Sequence, residues 1–213
     1  IKIPDEMTYE EATMTEPTAC ALRAISRSKV MLGDTVLVIG GGPLGLLNAQ
    51  VAKCAGASKV IVSDHHDYRV EIAKKLGIDY AFNSKDVNVE ERVKELTEDR
   101  GADLAVVAVA STEAILEGIK TVRWGGRICL FGDFRDVPQP NFEVDPKLLL
   151  RDDITLSGSW GCAPNDYYAA FSLIRTGRVN VKEMVTHTFP IERFTDALKV
   201  MAEKQCMRVV IKI

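Results

Sequence analysis

Apolar residues in this chain collect in short β-branched runs, and between the runs they recur at three- and four-residue spacing. The runs at 35–39, 59–63, 80–82, 104–109, 127–131 and 155–159 predict strands. Helical periodicity at 44–54, 68–76, 89–97, 112–122 and 146–150 fills the gaps. A run with no polar alternation belongs to a strand buried on both faces. Six such strands alternating with helices predict an α/β fold of the Rossmann type, a doubly wound, parallel, six-stranded sheet with right-handed crossovers. The ligand is then expected at the carboxyl ends of the strands. The two ends of the chain depart from this pattern. A helical segment at 8–28 precedes the first strand. Beyond the sixth come a helix at 165–175, an edge strand at 185–189, a helix at 191–203 and a last strand at 208–213. That last strand is expected to lack a partner within this chain.

The run TVLVIGGGPLG (35–45) carries the most chemistry. A strand feeds into G-x-G-x-x-G, with Gly40, Gly42 and Gly45 in the glycine positions, and a second strand ends about 20 residues later at Asp64. One glycine makes the tight turn, one lets the backbone approach a pyrophosphate, and the third lets helix and strand pack closely. The helix N-terminus offers unpaired N–H groups and positive dipole to phosphate. Asp64 can accept hydrogen bonds from the adenosine ribose hydroxyls. A 2′-phosphate beside that carboxylate meets like-charge repulsion, and the neighbours His65 and His66 are poor substitutes for a phosphate-binding arginine. NAD is therefore expected over NADP. Arg69, one helical turn on, either flanks the adenine or lies on solvated helix surface.

Composition narrows the class of partner. A net charge of −3 and a pI near 5.7 argue against nucleic acid or an anionic membrane as the main partner. No apolar run approaches the roughly 18–20 residues that span a bilayer, and the first residues, IKIPDEM, do not read as a leader peptide. Cys20, Cys54, Cys129, Cys162 and Cys206 are scattered, without a C-x-x-C pair. They are expected to be reduced thiols of a cytoplasmic protein, with Cys20 and Cys54 as small buried helix residues. His65, His66 and Asp67 are consecutive at a turn and do not converge as ligands would. The charged run at 90–95 reads as a solvated helix face.

The ordered set EPTACALRA (16–24), GDTVLVIGGGPLGLL (33–47), GAD (101–103), GGRICLFG (125–132), LSGSWG (156–161) and THTFP (186–190) resembles the medium-chain zinc-dependent alcohol dehydrogenases, most of all their sorbitol and polyol branch. The resemblance covers essentially the whole chain. It implies residues 1–24 as the end of a GroES-like catalytic domain with its connecting helix, 25–158 as the NAD-binding domain, and 159–213 as the return segment of the catalytic domain. Most of that catalytic domain, with its zinc ligands, has no counterpart here. The resemblance also implies residue roles. Glu16 of the E-P motif faces zinc directly or through water, its other reading being a helix-start carboxylate beside Pro17. Leu44 offers its N–H to the pyrophosphate, and Asp64 and Arg69 hold the adenosine ribose. Phe131, Gly132 and Asp133, and likewise Ser159 and Trp160, pass the nicotinamide. Trp160 reads equally as a core aromatic or as substrate wall, and His187 is structural. Two departures stand out: Val107, Val109 and Ala110 replace an acid and Thr-Gly at the end of the fourth strand, and Gly161 replaces an arginine that sorbitol dehydrogenases can carry.

The function expected is NAD-dependent, zinc-assisted oxidation of a secondary alcohol or polyol by a homodimer or homotetramer, with the cofactor site on this chain. The chain by itself is then expected to bind NAD(H) without turnover. A threonine-dehydrogenase-like enzyme is the alternative within that class, disfavoured by Glu16 where such enzymes usually carry Asp. Zinc-independent quinone reductases fit less well because they usually lack the acid at Asp64. From another class comes an NAD-sensing module without catalysis, which would have no use for residues 158–213.

Overall fold

A computed structural model of the chain describes residues 1–135, 137 and 141–213. Six parallel strands form the sheet: β1 (Thr35–Ile39), β2 (Lys59–Asp64), β3 (Tyr80–Asn83), β4 (Ala102–Val107), β5 (Val122–Leu130) and β6 (Thr155–Gly158). Their order is β3-β2-β1-β4-β5-β6, so the direction of winding reverses between β1 and β4. The predicted doubly wound sheet is therefore present.

Alternation along β1 shows why both faces are covered. Val36 and Val38 enter one core with Val60, Val62, Leu104 and Val106. Leu37 and Ile39 point the other way and join Ile61, Val107, Ile115 and Ile128. On the first face lie α1 (Tyr9–Ala12), α2 (Thr15–Arg27), α3 (Pro43–Cys54) and α4 (Asp67–Lys75). On the second lie α5 (Val89–Leu96) and α6 (Thr112–Thr121). A short α7 (Pro146–Leu150) precedes β6. After β6, α8 (Pro164–Arg175) packs on α2 and returns to the first core through Ile174.

Several expectations need correction. The single helical segment at 8–28 is broken at Thr13 and Met14. Thr8 and Glu11 close α1 in a capping box, and the Thr13 hydroxyl turns back to the Glu10 carbonyl at 2.7 Å. Strand β5 starts at Val122, earlier than the predicted 127, across an irregularity that holds Gly125 at φ +67°. Glycine there hides the strand from a periodicity reading.

The last strand does have a partner within the chain. Strand β7 (Val185–Pro190) and β8 (Arg208–Lys212) pair in parallel as a second, two-stranded sheet. Helix α9 (Phe194–Ala202) supplies the crossover that a parallel pair requires. Cys54 is exposed, against the expectation of a buried thiol, because it ends α3 where the helix runs out of the core.

Candidate functional site

The carboxyl ends of the strands continue the sheet's hydrogen bonding for a residue or two, which lines up the site. Gly40 N–H donates to the Ser63 carbonyl at 2.8 Å, and Ala108 N–H to Ile39 at 2.9 Å. Phe131 and Gly132 both donate to the Val107 carbonyl at 2.9 and 3.0 Å, and Ser159 to Leu130 at 3.1 Å. Gly40, Phe131, Gly132 and Ser159 are thus brought onto one edge of the sheet, beside the reversal of winding.

The three motif glycines serve different ends. Gly40 has φ +100°, and a Cβ there would lie 2.4 Å from Val109 Cγ1. A Cβ on Gly45 would lie 1.8 Å from the Gly40 carbonyl oxygen, so helix and turn can approach only without it. Gly42 has ordinary extended backbone, and the nearest atom to an added Cβ is Arg69 Nη1 at 3.8 Å. The fold does not require glycine at 42; the space a side chain would fill is open. Gly42 is also the N-cap of α3 and provides no side-chain cap. Pro43 follows, then Leu44, whose N–H lies in the first turn, where no intrahelical carbonyl is available.

Asp64 ends β2 with 5% of its surface exposed. One carboxylate oxygen accepts from the Gly41 N–H at 2.8 Å and from Arg69 Nη1 at 3.2 Å. The other takes the His66 N–H and lies against His66 Nδ1, both at 2.9 Å. Burial alone would push this carboxyl up; His66 and the Arg69 guanidinium outweigh it and hold the group below the usual carboxylate range. Arg69 is therefore bound to the site and does not lie on free helix surface. Its Nε donates to the Tyr68 hydroxyl at 2.9 Å, and that hydroxyl donates to the Lys204 carbonyl at 2.6 Å. The role of His66 and the link to the C-terminal segment carried no sequence signal.

A cavity of about 430 Å³ opens beside these groups, with Gly40, Ser63, Asp64, Arg69, Glu117 and Lys204 in its wall. Burial raises the Glu117 carboxyl, with His65 opposing. Among the described residues, Ser63 Oγ and Ser159 Oγ are buried without a hydrogen-bond partner. Buried hydroxyls left unsatisfied are uncommon. Two of them on the strand-end edge, together with the open space at Gly42 and the free first turn of α3, fit an extended polar ligand carrying phosphate.

Farther along the edge, Asp133 is exposed and paired with Arg135 at 2.5 Å. Arg135 also stacks 5.2 Å above the Trp160 ring. Trp160 is 66% exposed, so it is not a core residue. A Cβ on Gly132 would lie 2.2 Å from the Val109 carbonyl oxygen, which makes that glycine a packing requirement. His187 stacks on Phe189 and has its Nδ1 3.0 Å from the Thr186 hydroxyl, away from the glycine turn in sequence and sheet.

Glu16 sits in the first turn of α2, exposed, and Cys20 lies one turn on. The Cys20 thiol donates to Glu16 Oε1 at 3.2 Å. Cys162, from the loop after β6, brings its sulfur to the same place: the ligand atoms of Glu16, Cys20 and Cys162 all lie within 4.8 Å of one another. Burial raises the Cys20 thiol strongly, and Glu16 and Cys162 add to this. Cys20, expected as a small buried helix thiol, is only half-buried because its sulfur turns out to the Glu16 carboxylate. The approach of Cys162 was not legible in the sequence, because only the tertiary fold brings it there. No described helix is long and apolar enough to cross a membrane.

A family model described as zinc-binding dehydrogenase matches residues 43–176. A sorbitol dehydrogenase of Halalkalibacterium halodurans is 34% identical over 210 residues, covering 98% of this chain and 60% of that protein. An L-threonine 3-dehydrogenase of Vibrio cholerae is 30% identical over 201 residues, covering 94% of this chain and 57% of that one. Among solved structures, an alcohol dehydrogenase of Escherichia coli complexed with NADH matches with a TM-score of 0.90 at 28% identity, covering 100% of this chain and 62% of that one. The chain spans about three fifths of the length of these relatives.

Proposed function

We propose, since the chain belongs to the zinc-binding dehydrogenase family, that it carries the NAD site of an enzyme oxidising a secondary alcohol or polyol to the ketone. The open space at Gly42 carries this reading. A fold that tolerates a side chain at that position, yet has glycine, keeps it clear for a ligand's backbone-close approach. The residue roles follow from position. The pyrophosphate lies over Gly40, Gly42 and Gly45, against the Leu44 N–H and the positive end of α3. The adenosine ribose meets Asp64 and Arg69. To accept both hydroxyls, the Asp64 carboxylate gives up or shares the His66 and Arg69 side-chain bonds and keeps the Gly41 N–H. The nicotinamide passes Phe131, Gly132 and Asp133 and then Ser159 and Trp160, where the unpartnered Ser159 hydroxyl is available to its amide.

When bound, NAD accepts the hydride and zinc polarises the substrate oxygen as a Lewis acid. Glu16 is the carboxylate of this chain that faces the metal. The polyol class is supported by the sorbitol dehydrogenase likeness and by the E-P pair at Glu16. Among the described residues strand β6 is one of the two edges of the sheet, with Leu150 and Leu156 exposed beside it, which supports self-association through that edge into a dimer or tetramer. Localisation in the cytoplasm is consistent with five free cysteines.

The test is Gly42→Ala. Its Cβ has room in the free protein, so thermal unfolding should shift only as loss of a good N-cap predicts, by about 1 kcal/mol at most. NADH affinity should fall at least about tenfold, a loss of roughly 1.4 kcal/mol. Unchanged NADH affinity in that variant contradicts the assignment.

A further inference from the structure

The cavity at the end of β2 straddles that strand, and its two sides are polar in different ways. Alternation along β2 sends Val62 and Asp64 towards α4, and Ile61 and Ser63 towards α6. On the α4 side, Asp64 is engaged by Gly41, His66 and Arg69. On the α6 side, the Ser111 hydroxyl donates to Glu113 at 2.6 Å where the helix starts. Glu117 lies one turn further along the same face of α6, half-buried, and its carboxylate makes no hydrogen bond among the described residues. Ser63 is 1% exposed, and its hydroxyl likewise has no partner. Both residues stand in the wall of the same cavity.

An unpartnered carboxylate and an unpartnered hydroxyl define what fits between them. An ionised carboxylate only accepts, whereas a serine hydroxyl can donate. The complementary edge carries an N–H donor beside an unprotonated ring nitrogen, and adenine has that edge at its 6-amino group. Ile39, Val109 and Ala114 give the cavity apolar wall for the faces of such a ring. Burial raises the Glu117 carboxyl, and His65 alone opposes it; an amino group brought by a ligand supplies the missing partner. We propose that Glu117 and Ser63 read the 6-amino edge of adenine, Glu117 accepting from the amino group and Ser63 donating to a neighbouring ring nitrogen. This rests on the cofactor reading above and deepens it. The glycine turn and Asp64 hold phosphate and ribose, which do not depend on the base, and these two side chains meet the base itself. A 6-oxo purine puts a carbonyl oxygen where adenine has its amino group, so two acceptors face each other at Glu117. Ser63 and Glu117 stand on separate rigid elements and cannot exchange places to suit it.

The experiment is a calorimetric titration of the 213-residue chain with NADH and, in parallel, with the analogue carrying hypoxanthine in place of adenine. The analogue should bind at least about tenfold more weakly. Glu117→Gln, whose amide offers a donor as well as an acceptor, should bring the two dissociation constants to within about threefold of each other. Glu117→Ala should close the gap as well, by weakening NADH. Glu113→Gln, one turn back and bonded to Ser111, should leave the ratio as it is. Ser63→Ala should weaken NADH several-fold; removing an unsatisfied hydroxyl leaves the fold intact, which an unchanged thermal midpoint checks. The ratio is a readout that a general loss of stability does not move. Equal affinity of the unmutated chain for the two dinucleotides overturns the proposal and leaves the cofactor reading standing. A full tenfold preference for NADH in both Glu117 variants overturns it too, and unchanged NADH affinity in Ser63→Ala removes the serine from it. Binding of neither dinucleotide by the folded chain overturns both readings.

Discussion

Two glycines three residues apart in one motif have opposite reasons for being glycine, and the difference can be measured. A methyl group at 45 would overlap the Gly40 carbonyl oxygen, at 1.8 Å. Gly45→Ala must therefore push α3 away from the turn, and it should destabilise the protein by about 1–3 kcal/mol, as other overpacking substitutions do. A lower urea midpoint at unchanged slope checks this. Gly42→Ala, by contrast, should alter ligand affinity with little effect on that midpoint. Asp64 makes a second case. It was legible as the acid ending the second strand with Arg69 one turn on, but the Gly41 N–H bond was not, because it forms only once β1 and β2 lie side by side. Replacing it by Asn removes the charge that faces a 2′-phosphate. Asp64→Asn should weaken NADH about tenfold, through loss of a charged hydrogen-bond acceptor. NADPH should lose less, so the ratio of the two dissociation constants narrows; an unchanged ratio would remove Asp64 from cofactor choice.

Elements are held to one another at the opposite edge of the sheet by a different set of carboxylates. Asp103, at the start of β4, is 3% exposed and accepts from Arg100 at 2.8 Å, Arg123 at 2.5 Å and the Thr35 N–H of β1 at 2.8 Å. Burial raises this carboxyl, but these partners outweigh it and hold it far below the usual range. Its folded-state pKa is depressed, so its stabilisation is complete above the unfolded value of about 4 and is lost as pH falls towards the folded value. Asp103→Asn should cost about 1–3 kcal/mol at pH 7, and the gap to the unmutated chain should close as pH falls below about 4. Equal gaps at pH 7 and pH 3 in urea unfolding would contradict this. Tyr68 links elements near the site: its hydroxyl joins Arg69 of α4 to the Lys204 carbonyl ahead of β8. Tyr68→Phe should loosen Arg69 and weaken NADH a few-fold without removing the charge pair. The strands of the large sheet were legible because continuous apolar runs admit few other fates. The pairing of β7 with β8 was not, since β7 alternates like a half-buried edge and the partner is set by the crossover through α9.

At the scale of the whole molecule, the doubly wound order places every strand's carboxyl end on one edge, and the chain's chemistry gathers there. The glycine turn, Asp64 and the strand-end residues at 131–133 and 159–160 were readable from motif order. The convergence of Cys162 on Glu16 and Cys20 was not, because no local spacing encodes a contact between α2 and the loop after β6. The central claim is that this edge binds NAD in preference to NADP. Side-by-side calorimetric titration of the chain with NADH and NADPH at low salt tests it most directly. The account predicts saturable NADH binding and at least about tenfold weaker NADPH binding, a difference of roughly 1.4 kcal/mol. Equal affinity for the two, or no binding of NADH by the folded chain, would contradict it.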